Sequence, residues 1–320
     1  MRVMVTGAFG NLGKPVMEQL IREGHQVRAF DLETRANRRA ARRYGEDLEV
    51  VWGNLTRDDD VARAVADQEA VIHLAFVLPY LSATGVSSEA EPRWARNINV
   101  GGTRRLLNAV RAMPRPARIL FTSSLHVYGQ TQGQSPFRKV GDPLRPTDHY
   151  SHHKIICETL VQRSQLTWAI FRLGASLPTR LILDKAMFVV PLNTRIEFVH
   201  HSDVARAIGN ALDNQAVWGH IWNIGGGPGC QLMQGDLVRR VLDTVGVGML
   251  PERAFGGEPF PTDWLDTAES QRTLRFQYHT LQDYLRDLTA QLGPLRPLLK
   301  FASPLIRAYL LYISVNMRLG

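Results

Sequence analysis

The chain has 320 residues, of which 44% are hydrophobic and 21% charged, and its net charge is +8. This length can bury a full core and excludes a minimal module, so we expect one large domain or a domain with a smaller lobe. Cys157 and Cys230 match neither a disulfide framework nor a zinc spacing, which indicates a reducing, cytoplasmic compartment and no bound metal.

Short β-branched runs alternate with amphipathic stretches through the first half of the chain. The first run follows Met1 directly, so we expect no signal peptide. The alternation predicts right-handed βαβ units and an α/β fold, a Rossmann-like doubly wound parallel sheet. In chain order the predicted strands are RVMVTG, QVRAF, LEVVWG, AVIHLAF, RILFTSS and LTWAIFRLG.

The regular order breaks after about Leu177. Farther on, FVHHSDVARAI and HIWNIGG predict late strand and helix pieces that return to the sheet. We therefore predict a smaller substrate-binding lobe in the back half of the chain. The predicted division is a cofactor domain at 1–172 to which 198–225 returns, a substrate lobe at 173–197 and 226–293, and a basic amphipathic segment at 294–320.

The basic excess is concentrated in two segments. Residues 34–45 carry five arginines, and residues 294–320 carry four basic groups and no acidic one. For 34–45 we predict a solvated helix face, because no nucleic-acid-binding motif accompanies it. We expect a small-molecule substrate and no nucleic-acid partner.

A glycine loop follows the first predicted strand. In TGAFGNLG, Gly7, Gly10 and Gly13 let the backbone turn tightly and approach a pyrophosphate, which then lies against the amides of a helix N-terminus. Asp31 ends the second predicted strand, where a carboxylate can accept hydrogen bonds from both ribose hydroxyls. It favours NAD over NADP because a 2′-phosphate would meet like charge, although Arg35 nearby softens that discrimination.

With TGAFGNLG, Asp31, FTSSLHVYG and YSHHK in this order, the sequence resembles the extended short-chain dehydrogenase/reductase family, the NAD-dependent epimerase/dehydratase group. GNLTRD (53–58) resembles the family's adenine-contacting loop and VIHLAF (71–76) its fourth strand. The resemblance implies NAD as cofactor and a homodimer. The cofactor-binding positions that it implies are Gly7, Phe9, Gly10, Asn11, Leu12, Gly13, Asp31, Asn54, Leu55, Leu74, Ala75, Tyr150 and Lys154.

The same resemblance makes Ser124, Tyr150 and Lys154 the catalytic residues. A free phenol has a pKa near 10 and is a weak base, but an ammonium one helical turn away and an oxidised nicotinamide ring would stabilise the phenolate. Tyr150 would exchange a proton with the substrate hydroxyl while hydride moves to or from the cofactor, and Ser124 would bond the reacting oxygen.

For some of the other polar residues near these motifs the sequence allows two roles, and for the others it predicts a structural role. Asn54 either contacts adenine or shapes a turn, and Asn99 either supports the site or caps a helix start. His73 lies in an apolar strand and is predicted to be a core histidine. His152 and His153 lie between the catalytic pair and are predicted to be structural.

Departures from the family pattern bear on the reaction. Leu125 and His126 stand where sugar-nucleotide dehydratases place an Asp-Glu pair, which leaves His126 as either a lone acid/base or a packing residue. The Asn that sugar-nucleotide epimerases carry after the strand ending in Arg172 is missing, and Ile196 stands near the position of their diphosphate-binding Arg. Arg180 or Arg195 could replace those anchors.

Two apolar segments point to the substrate. The loop FVLPYLSA (76–83) follows the fourth predicted strand, close to where substrate enters in this family.

The second apolar segment is 294–320, in which Arg307 and the prolines exclude a membrane span. That segment fits either peripheral contact with a membrane or packing on its own domain or a dimer partner. One helical face would carry Arg296, Lys300, Ser303, Arg307, Ser314 and Arg318.

These observations predict an NAD-dependent oxidoreductase acting on a secondary alcohol or ketone, with an apolar, sterol- or isoprenoid-like substrate. A nucleotide-sugar epimerase is the alternative, since it would use the same triad. A non-catalytic NAD-binding protein is a third hypothesis, from another class. We expect a cytoplasmic protein with membrane association left open.

Overall fold

A computed structural model of the protein describes residues 1–79, 85–178 and 185–319. Strands and helices alternate as the sequence predicted. The strands are β1 Arg2–Thr6, β2 Gln26–Asp31, β3 Leu48–Trp52, β4 Ala70–His73, β5 Arg118–Ser124, β6 Trp168–Leu173, β7 Arg195–Glu197, β8 Ile221–Ile224 and β9 Gln231–Met233. The helices are α1 Gly13–Arg22, α2 Arg35–Ala41, α3 Asp58–Val65, α4 Pro92–Arg96, α5 Gly102–Arg111, α6 His149–Gln162, α7 His201–Asp213, α8 Gln234–Val245, α9 Ala268–Leu274, α10 Leu281–Leu292, α11 Leu295–Phe301 and α12 Ser303–Leu319.

Seven strands form one parallel sheet in the order β3-β2-β1-β4-β5-β6-β8. The order reverses between β1 and β4, and a crevice opens at such a point outside the carboxyl ends of the strands. This architecture confirms the predicted Rossmann-like α/β fold, and it places the ends of β1, β4 and β5 side by side.

Both faces of the sheet are covered, which explains the continuous apolar runs of its strands. On one face α1 and α7 pack over Val3, Val5 and Phe171. On the other face α3, α5 and α6 pack over Met4 and Phe121. The helices that carry the site residues are therefore fixed on a rigid layer.

The back half of the chain adds a second cluster and a small sheet. β7 pairs antiparallel with β9 in a separate two-stranded sheet, and the FVHH stretch that follows β7 returns beside the end of β6, where Val199 donates to the carbonyl of Ala175 (2.8 Å). Helix α7 packs on the main sheet and β8 joins its edge. Leu237, Phe255 and Leu288 lie in the separate cluster. The division into domains given above stays a prediction.

The first of the two basic segments forms a helix on the surface of the protein. Helix α2, which carries most of the arginines of 34–45, buries none of its residues, in agreement with a solvated face. Among the described residues, no helix has the length and apolar character needed to cross a membrane.

Candidate active site

The glycine loop forms a cradle that admits no side chains at two positions. Gly7 has a φ of +66°, and a Cβ added there would lie 2.9 Å from the backbone of Ala75. A Cβ on Gly13 would lie 2.3 Å from the carbonyl oxygen of Gly7. No side chain caps the N-terminus of α1, so its first amides face the loop without a side-chain acceptor. This arrangement fits a pyrophosphate, as predicted for residues Gly7, Phe9, Gly10, Asn11, Leu12 and Gly13.

Asp31 lies where the sequence placed it, at the end of β2. Its Oδ2 accepts a hydrogen bond from the Phe9 backbone N–H (2.9 Å) and its Oδ1 from that of Leu32 (2.8 Å). Burial raises the pKa of this carboxyl, and the two backbone hydrogen bonds and Lys14 act against that rise. The carboxylate is therefore tied to the glycine loop, and its contact with a ribose stays a prediction.

The loop of Asn54 and Leu55 is stabilised by hydrogen bonds between its own residues. Asn54 Oδ1 accepts hydrogen bonds from both the N–H and the hydroxyl of Thr56, each at 2.9 Å. Leu55 is buried against Gly102. These bonds support the turn reading of Asn54, while contact of either residue with adenine stays a prediction.

Thr6 joins the ends of β1 and β4, a role that the sequence reasoning missed. Its hydroxyl accepts hydrogen bonds from the backbone N–H groups of Leu74 and Ala75, both at 3.1 Å. His73 bridges Thr6 (2.8 Å) and Thr103 (3.0 Å) through its two ring nitrogens, and burial lowers its pKa to about 3. His73 is thus a hydrogen-bonded core histidine, as predicted, and it shapes the crevice from beneath.

Asn99 supports the loop that follows β4. It lies inside the helical run 92–111, in a π-helical turn over Asn97–Gly101, so it does not cap a helix start. Its side chain accepts a hydrogen bond from the N–H of Val77 (2.7 Å) and donates one to the carbonyl of the same residue (3.1 Å). His153 is buried beside it, whereas His152 is exposed.

Tyr150 and Lys154 lie on one face of α6, at the end of β5. Asp148 caps the helix through a capping box with Ser151, which fixes the first turn and therefore Tyr150. The hydroxyls of Tyr150 and Ser124 share a hydrogen bond. Lys154 Nζ donates to the carbonyl of Thr122 (2.6 Å). The structure therefore brings the three predicted catalytic residues together.

Glu89 holds the same helix from outside it. Its carboxylate accepts the backbone N–H groups of His149 (3.1 Å) and Tyr150 (3.0 Å). Nothing in the sequence links residue 89 to the YxxxK motif, because the two meet only through the fold.

Burial shifts the pKa values of both Tyr150 and Lys154. Burial raises the pKa of Tyr150 above its ordinary value, the hydrogen bond with Ser124 lowers it, and the charge of Asp148 raises it. Burial lowers the pKa of Lys154 to about 7, and its ammonium contacts the Phe76 ring, 3.6 Å from the centroid. Without a bound cofactor, burial therefore favours the neutral phenol of Tyr150.

Aromatic rings enclose Tyr150. Phe76 and His126 each lie edge-on to its ring, with both pairs of centroids 5.7 Å apart. Phe260 from the back half stands edge-on to His126, at 5.3 Å. His126 Nδ1 also lies 3.5 Å from the carboxylate of Asp148. His126 thus packs in the wall and has an acidic partner, so both readings of this residue remain open.

A buried ion-pair network holds the segment that carries Phe260. Asp263 accepts hydrogen bonds from Arg195 (2.7 Å) and Thr131 (2.7 Å) and lies 3.3 Å from Arg138. The guanidinium of Arg195 is therefore already paired with Asp263, while its predicted role as a diphosphate anchor stays a prediction. Arg180 and residues 80–83 of the loop FVLPYLSA lie outside the described residues.

One group of described residues has the composition of a metal site. Three ligand atoms of His200, His201 and Asp287 lie within 4.8 Å of one another. However, His200 Nδ1 accepts a hydrogen bond from the backbone N–H of Ser202 (3.3 Å), which places the ring proton of the neutral histidine on Nε2. That nitrogen lies 3.3 Å from the carboxylate of Asp287, so the N–H of a neutral His200 already faces an acceptor there.

The sequence profile of a family described as NAD dependent epimerase/dehydratase matches residues 3–225, well over half of the chain. The chain belongs to this family. Membership confirms the resemblance, the enzyme class at that level and NAD as the cofactor. The glycine cradle and Asp31 fit that cofactor independently, by geometry.

Individual members of the epimerase/dehydratase family differ in what they act on. The chain is 32% identical over 165 residues to a 3β-hydroxysteroid dehydrogenase/Δ5→4-isomerase of Mycobacterium tuberculosis, covering 50% of this chain and 42% of that protein. It is 33% identical over 135 residues to a UDP-glucose 4-epimerase of Klebsiella pneumoniae, covering 40% and 93%. The match to the first of these relatives thus spans less than half of its length.

Solved structures share the fold across nearly the whole chain. UDP-glucuronic acid 4-epimerase of Bacillus cereus, in complex with UDP-glucuronic acid and NAD, superposes with a TM-score of 0.76 at 19% identity and covers 92% of this chain and 100% of its own. At this identity the likeness concerns the fold alone.

Proposed function

We propose that the protein is an NAD-dependent oxidoreductase that moves hydride between NAD and an apolar secondary alcohol or ketone. The observation that carries this proposal is the aromatic enclosure of Tyr150 by Phe76 and His126, with Phe260 behind. The three rings of this wall offer dispersion contacts, which suit an apolar substrate rather than a polar sugar. The steroid-directed relative of M. tuberculosis supports the same substrate class.

Three residues of this chain would perform the proton chemistry. Ser124 and Tyr150 share a hydrogen bond, so both hydroxyls can reach one substrate oxygen. In the oxidative direction the phenolate form of Tyr150, whose own proton has first left to solvent, would accept the substrate O–H proton while the C–H bond breaks with its electron pair. When bound, NAD supplies the acceptor for that hydride and the positive charge of an oxidised ring.

Lys154 would act as a positioning residue whose charge depends on its surroundings. Its pKa of about 7 means that the ammonium form is only partly populated near neutral pH without a neighbouring anion. A phenolate forming on Tyr150 would favour the charged form of Lys154, because opposite charges stabilise one another in a buried site. The two groups would therefore titrate as a pair.

The epimerase alternative has weaker support. An epimerase of this family would bind a nucleotide diphosphate, yet the guanidinium of Arg195 is bonded to Asp263 and to the carbonyls of Thr131 and Gln134. The Klebsiella relative keeps this alternative worth testing. The cytoplasmic location and the homodimer stay predictions.

The test is absorbance at 340 nm with purified protein, NAD and a panel of sterols, smaller secondary alcohols and sugar nucleotides. We expect NADH with an apolar alcohol and a loss of roughly 10²–10⁴ in rate for Tyr150→Phe, the range for a general acid–base group. Tyr278→Phe is the matched control, because that ring is 64% exposed outside the site.

Other outcomes would separate the alternatives. A sugar nucleotide converted to its epimer without net NADH would replace this proposal with the epimerase. NAD binding without turnover of any panel member, at equal affinity in wild type and Tyr150→Phe, would favour the non-catalytic hypothesis.

A further inference from the structure

An apolar stripe runs along the outside of the two C-terminal helices. Its side chains are between 56% and 90% exposed. Successive members are three or four residues apart, so they share one helical face. We call the following residues the C-terminal stripe: Leu295, Leu298, Phe301, Leu305, Tyr309 and Tyr312.

Two cations of the same helices, Arg296 and Arg307, donate hydrogen bonds to backbone carbonyls of α8 and of the loop that follows it. Arg307 Nη1 donates to the carbonyls of Val247 (3.1 Å), Gly248 (3.0 Å) and Met249 (2.8 Å). Arg296 Nε donates to the carbonyl of Thr244 (3.0 Å). These carbonyls lie at and beyond the end of α8, where the helix dipole also favours cations.

The inner face of α12 packs against the protein through apolar side chains as well as through hydrogen bonds. Leu310 and Ser314 are buried, and Ile306 and Ile313 pack against the cluster of the back half. The helices are therefore docked, and their outward apolar face cannot be explained by a failure to pack. Six of the thirteen large hydrophobic residues exposed in the described part of the chain lie in this stripe, a concentration typical of an interaction surface.

Charge decides between a lipid surface and a second copy of this chain. Residues 294–320 contain four basic residues and no acidic one, and Arg296 and Lys300 remain exposed beside the stripe. Two copies meeting stripe to stripe would bring these like charges together, whereas anionic headgroups would complement them. Tyr309 and Tyr312 combine an apolar ring with a polar tip, which suits the boundary between headgroups and acyl chains.

We propose that the C-terminal stripe docks the protein on an anionic lipid surface, with α11 and α12 lying along the interface. Leucine and aromatic rings would enter the acyl boundary while Arg296 and Lys300 meet the headgroups. This inference does not depend on the proposed reaction, because it concerns a surface and its test has no turnover in it.

The test is sedimentation of the full chain with vesicles of phosphatidylcholine alone or with 30% phosphatidylglycerol (on the order of physiological anionic content). We expect binding to the anionic vesicles, weakened by 0.5 M salt (a Debye length of about 4 Å). The double variant Phe301→Ser, Leu305→Ser should lose at least about tenfold in partitioning, because two apolar side chains no longer enter the lipid.

The control is a second double variant that removes two exposed apolar residues elsewhere, Leu32→Ser and Phe137→Ser, which are 39% and 43% exposed. It should bind vesicles as wild type does. Equal NAD binding and melting temperature in the stripe variant would show that it is folded. Three results would overturn the proposal: no binding of wild type to anionic vesicles, unchanged binding of the stripe variant, or a lipid-free dimer that this variant dissociates.

Discussion

The two walls of the crevice are built in different ways. The proposed cofactor wall consists of the loop from Thr6 to Gly13, Asp31 and the end of β4; its hydrogen bonds all involve backbone N–H groups, and its glycines lie close to backbone atoms. The substrate wall consists of Phe76, His126 and Phe260, which come from three distant segments and meet through side chains. A wall of backbone leaves a trace in glycine spacing, whereas a wall of side chains leaves none.

The difference predicts that each wall can be damaged without the other. The proposed substrate wall depends on polar contacts. The segment that carries Phe260 is held by hydrogen bonds of Asp263, Gln130 and Gln132. The proposed cofactor wall depends on Gly7 and Gly13 having no side chain, because an added Cβ would clash with neighbouring backbone atoms. Lys154 stands between them, bonded to β5 and covered by Phe76.

The largest effect is expected for Asp263→Ala, which breaks the substrate wall. Two guanidinium groups, Arg138 and Arg195, would lose their shared buried carboxylate. Removing one partner of a buried pair costs roughly 3–5 kcal/mol, so we expect a loss of that order in the free energy of unfolding, with the affinity for NAD nearly unchanged. Urea denaturation and NAD titration measure the two quantities.

Asp142→Ala is the matched control, because Asp142 lies 3.3 Å from the same Arg138 and is considerably more exposed than Asp263. A surface pair contributes about 0–1 kcal/mol, so this variant should be close to wild type. If the two variants were equally stable, the network would not be what holds the wall.

A smaller effect is expected for Gly13→Ala, which damages the cofactor wall. The added methyl would meet the carbonyl oxygens of Gly7 and Ala8 at 2.3 Å, and backbone cannot move aside without opening the loop. Forcing atoms into a packed site costs about 1–3 kcal/mol, which corresponds to a loss of up to roughly 100-fold in NAD affinity. Isothermal titration with NAD measures it.

Gly133→Ala serves as the control, since a Cβ there meets nothing within 4 Å. It should bind NAD as wild type does. Undiminished affinity in Gly13→Ala would mean that the loop is not the pyrophosphate cradle.

The smallest effect concerns Lys154, at the junction of the walls. Its pKa is lowered to about 7 in the folded protein from an ordinary value of 10.5, so between these pH values the unfolded chain binds more protons. The free energy of unfolding of NAD-free protein should therefore rise with pH from about 7 upward, by at most about 1.4 kcal/mol per pH unit from this group. Below pH 7 the contribution of Lys154 is constant.

Urea denaturation at pH 7, 8 and 9 (a range on the order of two units above the folded pKa) tests this difference. Lys154→Met should lack this part of the rise, and Lys139→Met, which removes an exposed lysine, should retain it. Parallel curves for wild type and Lys154→Met would show that burial does not depress the pKa of Lys154.

Local spacing together with the family resemblance predicted the sheet and the positions assigned to the cofactor. Gly7 and Gly13 lie in one loop, Asp31 ends the strand that follows the next helix, and Tyr150 and Lys154 are one helical turn apart; β-α alternation fixes which ends of the strands they share. Their relative positions follow from backbone geometry that any sequence of this pattern adopts. That is why the sheet and the place of these residues could be predicted.

Tertiary structure decided what the spacing could not. Arg195 finds Asp263 across 68 residues, and Glu89 reaches the N-terminus of α6 across 60. Arg307 turns inward because free carbonyls at the end of α8 lie beneath it, which leaves the apolar residues of the same helix facing out. In each case the choice of partner depends on which buried charges and carbonyls are close in space, and a linear pattern contains no record of that proximity.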